Sequence, residues 1–95
     1  MAAYLIADIE VTDAEAFERY RAGVPAVIER FGGRYVVRGG AAQNLEGDWQ
    51  PRRMVILEFP TMEKLKAFYD SDDYAELLAA RLAATDSRTI LVEGV

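Results

Sequence analysis

Tyr4-Leu5-Ile6-Ala7-Asp8-Ile9-Glu10-Val11-Thr12-Asp13-Ala14-Glu15-Ala16-Phe17 changes its hydrophobic period half-way along, and that change decides the fold. Up to Val11 the residues alternate. Leu5, Ala7, Ile9 and Val11 share one side of an extended chain, with Tyr4, Ile6, Asp8 and Glu10 on the other. Thr12-Asp13-Ala14-Glu15 then fits a capping box, in which the Thr12 hydroxyl and the Glu15 carboxylate satisfy free backbone N–H groups. A strand therefore runs into a helix with only the cap between them. Phe17, Tyr20, Val24, Val27 or Ile28, and Phe31 recur at steps of three and four, an apolar stripe that Gly32-Gly33 stops at Phe31. Gly23 and Pro25 predict a kink or a restart in this helix, because proline lacks an N–H and its ring crowds the Arg21 carbonyl.

Outward from there, Arg34 to Gly40 and Met54 to Phe59 resume strand patterns, joined by a polar stretch around Gln43 to Pro51 that reads as a long open hairpin. Thr61 caps a second helical region carrying Met62, Leu65, Phe68 and Tyr69. Ser71, followed by Asp72-Asp73, starts a further piece with Tyr74, Leu77, Leu78, Arg81 and Leu82. Arg88 to Glu93 closes the chain as a fourth strand. The order strand, helix, strand, strand, helix, strand is that of an α+β, ferredoxin-like βαββαβ domain over residues 1–95. Its antiparallel sheet is expected to carry both helical regions on one face.

Composition removes several function classes. The chain of 95 residues has neither cysteine nor histidine, so it has no thiolate nucleophile, imidazole metal ligand, His-ligated haem or Ser-His nucleophile. No cofactor and no metal site is expected. Sixteen acidic against 11 basic residues, a formal charge of -5, argue against nucleic acid as the main partner. The strand Arg53 to Phe59 also lacks the glycine and paired aromatics of an RNA-binding platform. No run is long enough to span a bilayer and no leader pattern precedes Tyr4, so a soluble, cytoplasmic protein without a membrane partner is expected.

A chain of this length buries only roughly 60–65% of its unfolded surface, which leaves a thin stability margin. If Leu5, Ala7, Ile9, Tyr35, Val37, Val55, Leu57, Phe59, Ile90 and Val92 meet the helices, then Ile6, Val36, Met54, Ile56 and Leu91 remain on the opposite face. That is much apolar surface to leave wet. A homodimer formed through the sheet face away from the helices is the simplest symmetric way to cover it.

Val11-Thr12-Asp13-Ala14-Glu15-Ala16-Phe17, Gly32-Gly33-Arg34-Tyr35-Val36-Val37-Arg38-Gly39-Gly40, Leu45-Glu46-Gly47-Asp48-Trp49 and Leu57-Glu58-Phe59-Pro60 together resemble the domain of unknown function 1330 family over nearly the whole chain. The resemblance implies a dimeric α/β-barrel, in which two ferredoxin-like sheets pack face to face. It implies no particular reaction. The wider fold group includes cofactor-free monooxygenases, lactone isomerases and haem enzymes, of which the haem branch is least similar because its histidine ligand has no counterpart here.

Five residues stand out as ligand-binding candidates: Asp8, Tyr20, Arg38, Glu58 and Tyr74. Strict alternation places Asp8, Arg38 and Glu58 on one sheet face as a buried charged cluster. There Arg38 would anchor an anion or carbonyl, and Glu58 or Asp8 would act as acid or base. The structural alternative is an ion-pair network that fixes the register of a dimer interface. Tyr20, Tyr74 and also Tyr69 lie on the helical stripes, either lining a pocket or filling the core with their hydroxyls at its edge. Trp49 is expected to anchor on a partner chain. Asp70, Asp72 and Asp73 suit a helix start better than a cation. The reading of the whole is a small dimeric α/β-barrel protein that binds or transforms a small organic metabolite without metal or haem. The alternative is a non-catalytic dimeric binding or interaction module.

Overall fold

The alternation in the opening stretch persists through strand β1 (Ala3–Val11), where Ala3, Leu5, Ala7 and Ile9 are buried and the residues between them are not. The computed structural model describes all 95 residues. After β1 come α1 (Ala14–Arg30), β2 (Arg34–Arg38), β3 (Met54–Phe59), α2 (Met62–Tyr69), α3 (Asp72–Ala84) and β4 (Thr85–Glu93). The strands form one antiparallel sheet in the order β2-β3-β1-β4, which is the ferredoxin-like arrangement. Segment Gly39 to Arg53 bridges β2 and β3 as the expected long connection.

Helix α1 starts one residue later than the capping box implies. Asp13 is the cap, its carboxylate accepting from the Ala16 N–H at 3.1 Å. The helix continues unbroken through Gly23 and Pro25, against the expected kink or restart. Val24, Val27 and Ile28 hold this half of the helix in the core. Gly23 instead permits close helix packing, since a Cβ there would lie 3.1 Å from Leu77 Cδ2 of α3. The stop follows expectation, with Gly32 in the left-handed region at φ +83° and its N–H donating to the Glu29 carbonyl. Thr61 and Ser71 cap α2 and α3 through their side-chain oxygens, so the second helical region is indeed two helices.

The buried face of β1 meets Phe17, Val24, Val27 and Ile28 of α1, Leu65 and Phe68 of α2, and Tyr74 and Ala84 of α3 in one cluster. Phe68 is its centre, with ring centroids 5.2 Å from Phe59 and 4.4 Å from Tyr74. Fully burying one such side chain contributes roughly 1.5–3 kcal/mol, so this aromatic column carries much of the fold.

Two strands depart from strict alternation. In β2 a bulge between Tyr35 and Val37 shifts the register, so that Val37 pairs with Ile56 and Arg38 with Val55. Cross-strand partners share a face, so Val37 moves to the face away from the helices and Arg38 to the face beneath them. In β4 the expected faces are reversed: Ile90 pairs with Ile6 and Val92 with Tyr4 on the outer face, and Leu91 pairs with Leu5 on the inner one. Helix α3 passes into β4 without a loop, and the phase is set by polar residues. Thr85 donates to the Arg81 carbonyl at 2.7 Å, and Ser87 accepts from the Arg81 guanidinium at 2.8 Å.

Candidate functional site

Between the helices and the inner face of the sheet lies a small enclosed gap of ≈ 30 Å³, walled by Leu5, Phe17, Ile28, Tyr35, Val55 and Leu57. It has room for about one water-sized group. The polar groups at its floor come from two helices. Tyr20 on α1 and Tyr74 on α3 have hydroxyls 2.9 Å apart, and Arg81, two turns further along the same stripe of α3, lines the same gap while only 4% exposed. The tyrosines are where they are because both lie on the stripes that bury Phe17 and Leu78, with their rings packed on the aromatic column.

The gap opens beside Arg21, Arg38 and Arg53. The same three arginines, with Glu18 and Ala22, bound an open crevice of ≈ 450 Å³ outside it. The Arg38 guanidinium lies 4.7 Å above the Tyr35 ring, and that of Arg53 lies 5.6 Å from the Phe17 ring centre. Arg53 Nε is buried without a hydrogen-bond partner. The path thus runs from an arginine-lined mouth, over aromatic walls, to a floor of two phenols and a guanidinium.

The electrostatics define what this floor can do. Burial pushes the Tyr20 phenol far above its ordinary value, and the neighbouring Tyr74 adds to the effect. Burial likewise raises Tyr35, partly opposed by the Arg38 charge. For Arg81 burial acts to lower the value, but its contacts with Tyr74, Tyr20 and Tyr69 outweigh this and leave it raised. At neutral pH Tyr20 and Tyr35 are therefore neutral and Arg81 is cationic. One phenol donates to the other, so the floor offers the remaining O–H and the Arg81 guanidinium to an oxygen acceptor, and no carboxylate lines it to act as a base.

The structure brings Tyr20, Tyr74 and Arg38 of the five sequence candidates to this gap, and it separates Asp8 and Glu58 from them. The buried cluster of Asp8, Arg38 and Glu58 does not form. The β2 bulge turns Arg38 to the other face, while Asp8 and Glu58 sit towards opposite ends of the outer face, opposite Met54 and Tyr4 respectively. Asp8 ties the Gly39–Arg53 segment to the sheet, accepting from the Trp49 indole at 3.0 Å and the Arg52 N–H at 2.9 Å. Its partial burial acts to raise its pKa. The hydrogen bonds from Trp49, Arg52 and Arg53 and the charge of Arg88 prevail and hold it below the ordinary range. Trp49, for its part, is packed down by its own chain as well as half exposed. Glu58 accepts from Tyr4 at 2.9 Å and from Arg34 at 2.7 Å. These bonds hold its carboxyl below the ordinary range and raise the Tyr4 phenol.

Arg81 and Arg53 escape the sequence reading as site residues. Arg81 had a visible signal, a charge on the apolar stripe of a helix between Leu78 and Leu82. Arg53 had none, because its position depends on how the long hairpin re-enters the sheet. Nowhere do three or more His, Cys, Asp or Glu side chains gather as a set of metal ligands, and no helix is long and apolar enough to cross a membrane.

The sequence profile of the domain of unknown function 1330 matches residues 2–95. The chain belongs to the DUF1330 family. A protein of unknown function from Rhodopseudomonas palustris is similar to this DUF1330 chain at 24% identity, with a TM-score of 0.81, covering 99% of this chain and 82% of that one. SnoaB, a cofactor-independent oxygenase from Streptomyces nogalater, is similar at 13% identity with a TM-score of 0.67, covering 99% and 93%. A dimeric ferredoxin-like protein of unknown function from Jannaschia sp. CCS1 has the same identity and TM-score, 13% and 0.67, and covers 99% and 100%. At these identities the likeness shows the ferredoxin-like fold of the DUF1330 chain and no more. No curated protein matches it.

Proposed function

We propose that this DUF1330 protein binds a small organic metabolite in the gap between its helices and sheet, presenting an oxygen acceptor of the ligand to Tyr20, Tyr74 and Arg81. The observation that carries the reading is the convergence of two phenol hydroxyls and a buried guanidinium on one apolar-walled gap that opens to solvent beside Arg38. Ligand sites are commonly apolar concavities with a few convergent polar groups. The enclosed part is far smaller than a usual ligand pocket of roughly 300–1,000 Å³, so it takes one end of the ligand and the crevice takes the rest.

A transformation at this site would act on a ligand that enters already as an enolate or similar oxyanion, held by donated hydrogen bonds and positive charge, since no carboxylate lines the gap to take a proton from it. SnoaB, with the same fold, is a cofactor-independent oxygenase. Chemistry without metal or haem is thus a precedent for the architecture, and it is the enzymatic form of this proposal.

The protein works as a homodimer that covers the outer face of the sheet. Supporting this, Val36 is 47%, Ile90 57% and Val92 40% exposed on that face, beside the half-buried Ile6, Met54 and Ile56. The fold neighbour from Jannaschia is described as dimeric. The interface therefore draws on Ile90 and Val92, and the ligand site lies on the other side of the sheet.

A thermal-shift screen of small oxo- and hydroxy-metabolites tests the binding proposal. A ligand at 100 times its dissociation constant adds about 2.7 kcal/mol. Compounds that stabilise the wild type but not Tyr20→Phe are expected. Stabilisers indifferent to Tyr20→Phe, Tyr74→Phe and Arg81→Met alike would refute it.

A further inference from the structure

Arg19, Arg21, Arg30, Arg34 and Arg52 each lie within ion-pair distance of a carboxylate. Arg38, Arg53 and Arg81 do not, although the chain carries 16 acidic side chains. These three line the same gap. Elsewhere only Arg88 lacks such a pair, and it faces Asp8 across β1 and β4. Unpaired guanidinium groups in an acidic protein are thus gathered at the entrance and floor of a single site.

From this we infer that the ligand of the gap is an organic carboxylate with a flat or slender apolar body, its carboxylate held by Arg38 and Arg53. The inference rests on the proposed binding role of the gap and names the chemical class it takes. Both mouth guanidinium groups are pre-positioned: Arg38 by stacking on Tyr35, Arg53 by Phe17 and by the backbone at Gly39. Gly39 has φ +71°, and a Cβ there would collide with the Arg53 guanidinium, so the bare backbone gives that group its space. Arg53 Nε–H is buried and has no acceptor within the chain. A ligand oxygen would supply one, and a buried donor without an acceptor is the costly state that binding relieves.

A planar carboxylate matches two N–H groups of a guanidinium fork, and the rings of Phe17 and Tyr35 beside it suit a hydrocarbon or aromatic body. A phosphate is a poorer match. The Gly39 N–H, which stands at the place for a backbone cradle, is already bonded to the Met54 carbonyl at 2.7 Å. The gap itself admits about one water-sized group, so Arg81 and the phenols at the floor receive a single keto or hydroxyl oxygen, while the carboxylate and the body lie in the crevice.

The probes are benzoate and phenylacetate, their neutral amides, and sodium sulfate, each titrated into the intact protein and followed by calorimetry and by the arginine Nε–H NMR signals. The carboxylates are expected to bind at least about tenfold more tightly than the amides, to move the Arg38 and Arg53 signals, and to weaken as salt rises. Arg38→Gln, at an exposed position, should cost about tenfold in carboxylate affinity and little for the amides. Sulfate binding that matches the carboxylates would replace the organic acid with an inorganic anion and overturn the inference. Equal binding of acids and amides, lost in Tyr20→Phe, would overturn the carboxylate assignment and leave the gap as a binding site. No binding of any probe, together with no Tyr20-dependent stabiliser in the metabolite screen, would remove both.

Discussion

The Tyr20 hydroxyl on α1 and the Tyr74 hydroxyl on α3 lie 2.9 Å apart, joining two helices at a polar spot in a largely apolar layer. Their rings meet edge to face at 6.3 Å, so the pair is held both by its oxygens and by its carbon framework. Removing one hydroxyl leaves the other short of a partner while the rings still pack. Tyr20→Phe is therefore expected to cost about 0.5–1.5 kcal/mol in urea unfolding, with unchanged far-UV circular dichroism. A stability gain would mean that the hydroxyl pair is a net burden on the fold.

Arg81 is the more demanding member of the floor. It is almost fully buried, donates to Ser87 and approaches Tyr74, so its loss strands several polar atoms at once. Arg81→Met keeps the length of the side chain and removes the charge. It should destabilise by about 1–3 kcal/mol in the same assay and abolish ligand-induced stabilisation.

The raised phenols set the alkaline behaviour. A group whose folded pKa lies above its unfolded value favours the neutral form in the fold. Its stabilisation is complete below the unfolded value of 10.0 and is lost as pH rises beyond it. Absorbance titration should show Tyr4, Tyr20 and Tyr35, of five tyrosines in all, ionising later than free tyrosine. Tyr20 should ionise only as the protein unfolds. Five tyrosines titrating together near the ordinary value in the folded state would contradict the buried site.

At the acid end Glu58 works in the opposite sense. Its hydrogen bonds from Tyr4 and Arg34 depress its pKa, so the unfolded chain takes up the proton first as pH falls. The stabilisation is present above the unfolded value and disappears as pH drops through the folded one. Asp8 contributes with the same sign. Glu58→Gln should flatten, without removing, the fall of the urea midpoint between neutral pH and pH values below the ordinary carboxylate range.

How much of this was readable from residues alone depends on what set each feature. The switch of period at Val11 and the caps at Thr61 and Ser71 are local, and so β1, α2 and α3 follow from sequence almost to their ends. Arg38 is the instructive exception. Its face depends on a bulge at β2, a feature of pairing with β3 that alternation within Arg34–Arg38 cannot contain. In β4 hydrophobicity points the wrong way, because the inward residues Thr85 and Ser87 bond Arg81 and Thr89 lines the gap beside it, in place of an apolar core. Tyr20 and Tyr74 were identified from their helical stripes, but their meeting required the packing of α1 on α3 over Gly23 and Leu77.

That reversal of β4 also moves the proposed dimer contact. Ile90, 57% exposed on the outer face, can be changed without touching the helix-side core. Ile90→Lys is expected to yield a folded monomer in sedimentation equilibrium where the wild type is a dimer. A wild type that sediments as a monomer would contradict the homodimer.

The most direct test of the binding site is an amide and arginine side-chain NMR titration of the wild type with the best stabiliser from the metabolite screen. The largest shifts are expected at Phe17, Tyr20, Tyr35, Tyr74 and Arg81, with Arg38 and Arg53 moving at the mouth. Shifts confined to the outer face, around Asp8, Trp49 and Arg88, would contradict it.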